Sequence, residues 1–146
     1  MTRDIHAYIE TCWRPGLVEG ADGWSSFCGR LWLGQCNTLF DCLAGACGGP
    51  AKPLFEPRGV PNDMSWAADG DYLPSWHVPS WLTIEELEMV YAYYQSECKR
   101  LYQEDSVSNK PIEAVIAAMK ALESDGSTVT RFVFWFGFSV STNRSS

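Results

Sequence analysis

At residues 131–138 the chain reads Arg131-Phe132-Val133-Phe134-Trp135-Phe136-Gly137-Phe138. Five aromatic side chains and one valine in so short a run favour a buried β-strand, because aromatic and β-branched residues pack well on a pleated surface. Residues 4–10 alternate between polar and apolar side chains, which is typical of a strand with one buried face. We expect the two strands to pair, which would bring both ends of the chain into one sheet.

The strand predicted at residues 4–10 has one polar face. Its polar side chains are Asp4, His6, Tyr8 and Glu10. Because successive side chains of a strand point to opposite sides, these four are expected to share one face of the sheet. Turn residues at 20–23 predict a hairpin, whose returning strand would comprise residues 24–27.

Three helices are predicted from the residues at their ends. Asn37 is expected to cap a short helix that stops before residues 48–50. Thr83 and Glu86 have the spacing of a capping box, in which each side chain accepts from the other residue's backbone amide, and the helix should run to about Gln103. Pro111 is suited to open a further helix, because the first helical turn needs no amide donor there.

These elements predict an α+β fold: a small antiparallel sheet that contains both chain ends and packs against two to three helices. Residues 50–81 contain six prolines and are predicted to be a long irregular loop wrapped over the fold. Residues 139–146 are predicted to be a polar tail. The length of 146 residues fits a single domain, 1–146.

Composition and charge limit the classes of function. The net charge is −7, which argues against direct nucleic-acid binding, because phosphate neutralisation needs clustered lysine and arginine. The apolar runs are too short for a membrane span, and the first twenty residues lack a signal-peptide pattern, so we expect a cytoplasmic protein. The six cysteines form no Cys-x-x-Cys pair and are expected to be free, buried thiols.

Four segments of the chain form a recognisable set. They are Asp4-Ile5-His6, Glu56-Pro57-Arg58-Gly59-Val60-Pro61, His77-Val78-Pro79-Ser80-Trp81-Leu82-Thr83 and Arg131-Phe132-Val133-Phe134-Trp135-Phe136. In these segments the chain resembles a family of small, uncharacterised bacteriophage and prophage proteins. It departs from that pattern at Thr2-Arg3, where the family has Gly-Cys, and at Gly137-Phe138, where it has Asp-Asn. The resemblance spans nearly the whole chain and implies a phage origin, but it implies no activity.

Both histidines of the chain lie in these segments and are candidate catalytic or metal-binding residues. Asp4, His6 and His77 would converge with Glu56 and Arg58 if the long loop folded back on the sheet. Two imidazoles and a carboxylate could hold a divalent metal, or could serve general acid–base chemistry, because histidine titrates near neutral pH. In the structural alternative, the histidines bond to the backbone and fasten the loop to the sheet.

A second hypothesis concerns a small anionic ligand or nucleotide. Arg58 and Arg131 offer planar donors that suit phosphate or carboxylate, with Glu56 beside them and with Trp76 and Trp81 available for stacking. In the structural alternative, Arg58 pairs with Asp4 or Glu56, and the two tryptophans cover the core. An exposed contact surface is a further use for these tryptophans, because tryptophan is enriched in interface hot spots.

Three functions follow from these observations. The preferred one is a phage-encoded accessory protein, not an enzyme, that binds and blocks a host protein, as a counter-defence inhibitor would. The alternatives are a protein that sequesters a small anionic ligand, and a metal-assisted hydrolase built on Asp4, His6 and His77. No cofactor is expected in the preferred case, and a divalent metal is required only in the last.

Overall fold

The computed structural model describes residues 3–13 and 23–138 and has an α+β fold, as the sequence predicted. Its sheet has four antiparallel strands in the order β2-β1-β4-β3. These strands are β1 (Arg3–Trp13), β2 (Ser25–Leu31), β3 (His77–Leu82) and β4 (Thr128–Phe138). β1 and β4 pair along their full length, which confirms that both terminal strands lie in one sheet. The predicted tail and most of the predicted turn at 20–23 lie outside the described residues.

Four helices accompany the sheet in the described part of the chain. They are α1 (Asn37–Ala44), α2 (Trp66–Asp71), α3 (Ile84–Tyr102) and α4 (Lys110–Glu123). The capping box that starts α3 is confirmed, since Thr83 accepts from the Glu86 amide and Glu86 accepts from the Thr83 amide. The prediction that Asn37 caps α1 is wrong by one position: Cys36 is the capping residue, and its side chain makes no capping bond.

The main core lies between one face of the sheet and helices α1, α3 and α4. β1 contributes Ile5, Ala7 and Ile9, and β4 contributes Phe132, Phe134 and Phe136, all at most 3 % exposed. The helices add their apolar stripes, among them Phe40, Leu87, Val90, Ile112 and Met119. Burying one such large side chain contributes roughly 1.5–3 kcal/mol, so this layer is the chief source of stability. All six cysteines are free thiols, as expected, but only Cys42 and Cys98 are buried, and Cys28 is exposed.

The prediction of one irregular loop over residues 50–81 is wrong in two places. Ser65 caps α2 by accepting from the Ala68 amide, and residues 77–82 form the edge strand β3. Pro79 is unfavourable in a strand, because proline has no backbone N–H to donate to the neighbouring strand. The structure accommodates Pro79 at a register shift between His77 and Ser80, on an edge strand. There the Pro79 carbonyl accepts from the Gly59 amide instead.

The second face of the sheet is covered by residues 63–76, which we call the cover segment; it includes α2. Beneath it Tyr8, Val133 and Trp135 are at most 4 % exposed, together with Ala68 of α2. Met64, Tyr72, Trp76 and Trp81 pack around this smaller cluster. The aromatic strand β4 is therefore buried on both faces, which explains its nearly continuous apolar sequence. Of the helices in residues 3–13 and 23–138, none has the length and apolarity of a membrane span.

Candidate functional site

A histidine, a tyrosine and an aspartate meet where the cover segment lies on β1. His6 Nδ1 is 3.0 Å from Asp71 Oδ2, and the Tyr8 hydroxyl donates to the same oxygen over 2.9 Å. His6 and Tyr8 share a face because they are two residues apart on a strand, while Asp71 comes from the last position of α2. The predicted polar face of β1 is thus confirmed, and its partner is a residue that the sequence reasoning did not select.

The shared carboxylate accepts a hydrogen bond from each of its two partners. Because a carboxylate only accepts hydrogen bonds, the His6 donor in this contact is Nδ1. Burial, followed by the hydrogen bond to Asp71, raises the pKa of Tyr8 far above its ordinary value, so that the hydroxyl stays protonated. The cluster therefore ties two side chains of β1 to one carboxylate of the cover segment.

Trp76 packs against the imidazole of His6. The two ring centroids are 4.9 Å apart, and the indole N–H of Trp76 donates to the Asp71 carbonyl over 3.2 Å. Gly137 makes room for this tryptophan, since a β-carbon there would lie 2.7 Å from Trp76 Cε3. As a result, only 12 % of the His6 side chain is exposed.

A second polar cluster ties the other end of the cover segment to the sheet. Glu10 is fully buried, and its carboxylate accepts from Arg131 Nε over 2.7 Å and from the Ser65 amide over 2.6 Å. Arg131 also pairs with Asp63 over 3.0 Å and lies 3.9 Å above the ring of Trp24. Each charge is thus compensated, as a buried ion pair requires.

The arginines that were predicted to hold an anion are paired with different carboxylates. Arg131 is engaged by Glu10 and Asp63, as described above. Arg58 forms a two-pronged pair with Glu86 at the start of α3, donates to the Trp81 carbonyl and lies 4.7 Å from the Trp81 ring centre. The expected pairing of Arg58 with Asp4 or Glu56 is therefore wrong. The Arg58 hydrogen bond lowers the pKa of Glu86 to about 2.

The predicted convergence of Asp4, His6 and His77 is also wrong. His77 lies opposite Phe136, whereas His6 lies opposite Trp135, and adjacent residues of a strand belong to opposite faces. The reason is that residues 77–82 form a strand beside β4, which separates them from β1, instead of folding back over β1. Burial, and then the charge of Arg3, lower the pKa of the exposed His77.

The remaining candidates are dispersed. Asp4 accepts from the Gln35 side chain over 2.7 Å, and Glu56 is exposed. Within the described part of the chain, no group of three or more His, Cys, Asp or Glu residues is arranged to hold a metal ion. Asp71 and Asp63 were missed because each acts across more than 60 positions of sequence, and no local spacing marks such a contact.

An apolar groove lies at the edge of the sheet that β2 forms. Because α4 packs over β4 and β1, β2 extends beyond it. The resulting apolar groove holds about 270 Å³. We call its rim the edge patch, which comprises Phe27, Leu31, Trp32, Pro111, Ala114 and Ala118. Trp32 is 78 % exposed and Phe27 is 40 % exposed, so two large aromatic side chains face solvent beside this groove.

Comparison with protein-family models, with curated proteins and with solved structures finds no match to this chain.

Proposed function

We propose that this chain is a protein-binding inhibitor, which docks through the edge patch and masks a surface of another protein. The observation that carries the proposal is the exposure of Phe27 and Trp32 beside an apolar groove. A contiguous exposed patch of this kind is unfavourable in water and marks an interaction site in many proteins. Tryptophan is also the residue type most enriched among interface hot spots.

The backbone of β2 favours docking by side chains over the addition of a further strand. Cys28 and Gly29 both have positive φ angles, 56° and 76°, and the pairing of β2 with β1 shifts register there. Such a bulge bends an edge strand and interrupts the row of groups that another strand would need. The partner is therefore expected to place an apolar ridge, such as one face of a helix, into the groove.

The charge of the chain favours a basic partner. With a net charge of −7, the protein would attract a positively charged surface over long range and would associate with it faster at low salt. Together with the resemblance to phage proteins, this supports a host protein in the cytoplasm of an infected bacterium as the target. Blocking of a defence component is the role that we propose for the complex.

Capture from host lysate, followed by affinity measurement with the captured protein, tests this proposal. The wild-type chain should retain a basic protein in stoichiometric amount, and Trp32→Ser should weaken that complex at least 30-fold, because a hot-spot residue contributes about 2 kcal/mol or more. Trp66→Ser is the matched control, since Trp66 is 96 % exposed but belongs to the cover segment on the other face of the sheet. Equal affinity of the Trp32 variant and the wild type would refute docking at the edge patch.

A further inference from the structure

The solvent side of α4 carries alanine where a surface helix usually carries polar or charged residues. Its exposed line, which we call the alanine ridge, consists of Ala114, Ala117 and Ala121. Between Glu113 and Glu123 the only charged residue of the helix is Lys120. The middle of α4 is therefore apolar on its outer side as well as on its buried side, and an exposed apolar face of this kind indicates that another molecule covers it.

A groove runs along each side of the alanine ridge. One is the groove of the edge patch, and the other lies between α3 and α4, holds about 320 Å³ and is open to solvent at the exposed Ala92. α4 lines the first groove with Pro111, Ala114, Val115 and Ala118, and the second with Glu113, Ile116, Ala117 and Lys120. Each set has the i, i+3, i+4, i+7 spacing of one helix face, and the two sets are offset by two positions, which is about 200° around the helix axis. The grooves therefore lie on opposite sides of the same helix.

The charges beside the ridge are paired within the protein. Lys110 lies 3.5 Å from Glu113, and Lys120 lies 2.9 Å from Glu88 of α3. Because a glutamate offsets each of these lysines, they do not repel a positively charged partner. The net charge of −7 arises from the rest of the chain and attracts such a partner over long range.

We propose that the partner of the edge patch presents an amphipathic, basic helix that packs along α4 and covers both grooves. The small side chains of the alanine ridge let the two helix axes approach closely, and larger apolar side chains of the partner enter the groove on each side of the ridge. This inference rests on the proposed function and extends it, because the docking surface then reaches from β2 across α4 to Tyr91 and Ala92 of α3.

A synthetic helix tests the docking surface without the natural partner. The probe is a peptide of about 14 residues with leucine along one face and lysine elsewhere, titrated at constant ionic strength into the whole protein with labelled alanine methyl groups. In NMR spectra the peptide should shift the methyl resonances of Ala92, Ala114 and Ala117 along one saturable curve. A scrambled peptide of the same composition, which has no apolar face, should bind at least tenfold more weakly.

Ala117→Gln distinguishes docking across α4 from docking at the edge patch alone. Ala117 lines the second groove but not the first, and its exposed helical position accepts glutamine with little change in stability. The variant should bind the leucine–lysine peptide at least tenfold more weakly, because a long polar side chain would be buried in the groove. Ala67→Gln is the matched control, since Ala67 is an exposed alanine of α2 on the other face of the sheet, and it should bind as the wild type does.

Three results would overturn this proposal: Ala117→Gln binding as the wild type does, the scrambled peptide binding equally well, or alanine resonances that do not move. If Ala117→Gln binds normally while Trp32→Ser weakens binding, docking at the edge patch stands and only its extension across α4 fails. Sedimentation of the free protein provides a further check. A dimer that Ala117→Gln dissociates would also overturn the proposal, because a second copy of the chain would then cover α4.

Discussion

At the scale of single residues, Asp71 and Arg131 connect parts of the chain that are far apart in sequence. Asp71 accepts hydrogen bonds from His6 and Tyr8 of β1. Arg131 of β4 forms ion pairs with Glu10 of β1 and with Asp63 of the cover segment. A buried polar pair adds little to the free energy of unfolding when both groups are hydrogen-bonded. Removal of one partner lowers that free energy markedly, because the other group is left buried without a partner. The two clusters therefore determine where the cover segment lies, more than how stable the core is.

Replacement of Arg131 should show how much stability is lost when one partner of a buried ion pair is removed. Arg131→Met leaves the carboxylate of Glu10, which is 0 % exposed, without its cationic partner. We expect the free energy of unfolding at pH 7 to fall by about 3–5 kcal/mol, as measured by urea denaturation. Adding Glu10→Gln to Arg131→Met should restore part of this loss, because the uncompensated charge is then gone.

The control for this prediction is a solvent-exposed ion pair on the protein surface. Lys99 and Asp105 lie 3.4 Å apart with both side chains more than 70 % exposed, so Lys99→Met should cost less than about 1 kcal/mol. If Arg131→Met and Lys99→Met have similar effects, the Glu10–Arg131 pair is not buried as described.

The pair between Arg58 and Glu86 predicts a dependence of stability on pH. The pKa of Glu86 falls from about 4.5 to about 2, first because of Arg58 and then because of the Thr83 amide. A lowered carboxyl pKa stabilises the folded state above the unfolded-state value, and this stabilisation is lost as pH falls through the folded-state value. The difference in unfolding free energy between wild type and Arg58→Gln should thus be constant above pH 5 and shrink between about pH 5 and pH 2.

Urea denaturation at pH 3, 5 and 7 measures that difference. Its pH-dependent part should amount to about 1 kcal/mol, because the pair is partly solvated. A difference that grows on acidification would show that the ion pair does not stabilise the folded chain.

At the scale of elements, the sequence predicted the parts whose signals are local. Strict alternation in β1, the aromatic run in β4 and the capping box of α3 are each readable within a few residues. α2 and β3 were not predicted, because neither has a clear local signal. α2 has only six residues, and β3 contains Pro79, so both depend on tertiary contacts that override local preference.

The fit between β4 and the cover segment is tight at Gly137. A β-carbon at this position would come within 3 Å of Trp76, whose ring packs on His6. Gly137→Ala should therefore displace Trp76, lower the unfolding free energy by about 1–3 kcal/mol and shift the tryptophan fluorescence. Gly70→Ala is the control, because a β-carbon at Gly70 meets no atom within 4 Å. Equal stability of the two variants would mean that Trp76 does not cover this strand.

At the scale of the whole molecule, the sheet has two faces of different character. One face holds the apolar core against α1, α3 and α4, and its composition could be predicted from the alternation of the strands. The other carries polar side chains under the cover segment. The sequence indicated that His6 and Glu10 share this face, but their partners 65 and 121 residues away could not be predicted, because no local pattern encodes such a contact.

Through its bonds to His6 and Tyr8, Asp71 fastens residues 63–76 across the second face of the sheet. Hydrogen–deuterium exchange of Asp71→Ala tests it, with Asp69→Ala as the control, since Asp69 is an exposed aspartate of the same helix. Loss of two hydrogen bonds of about 1 kcal/mol each should speed exchange of the amides in residues 63–76 at least tenfold, while the β1 and β4 amides stay protected. Exchange in residues 63–76 that matches the Asp69→Ala control would show that Asp71 does not hold the cover segment on the sheet.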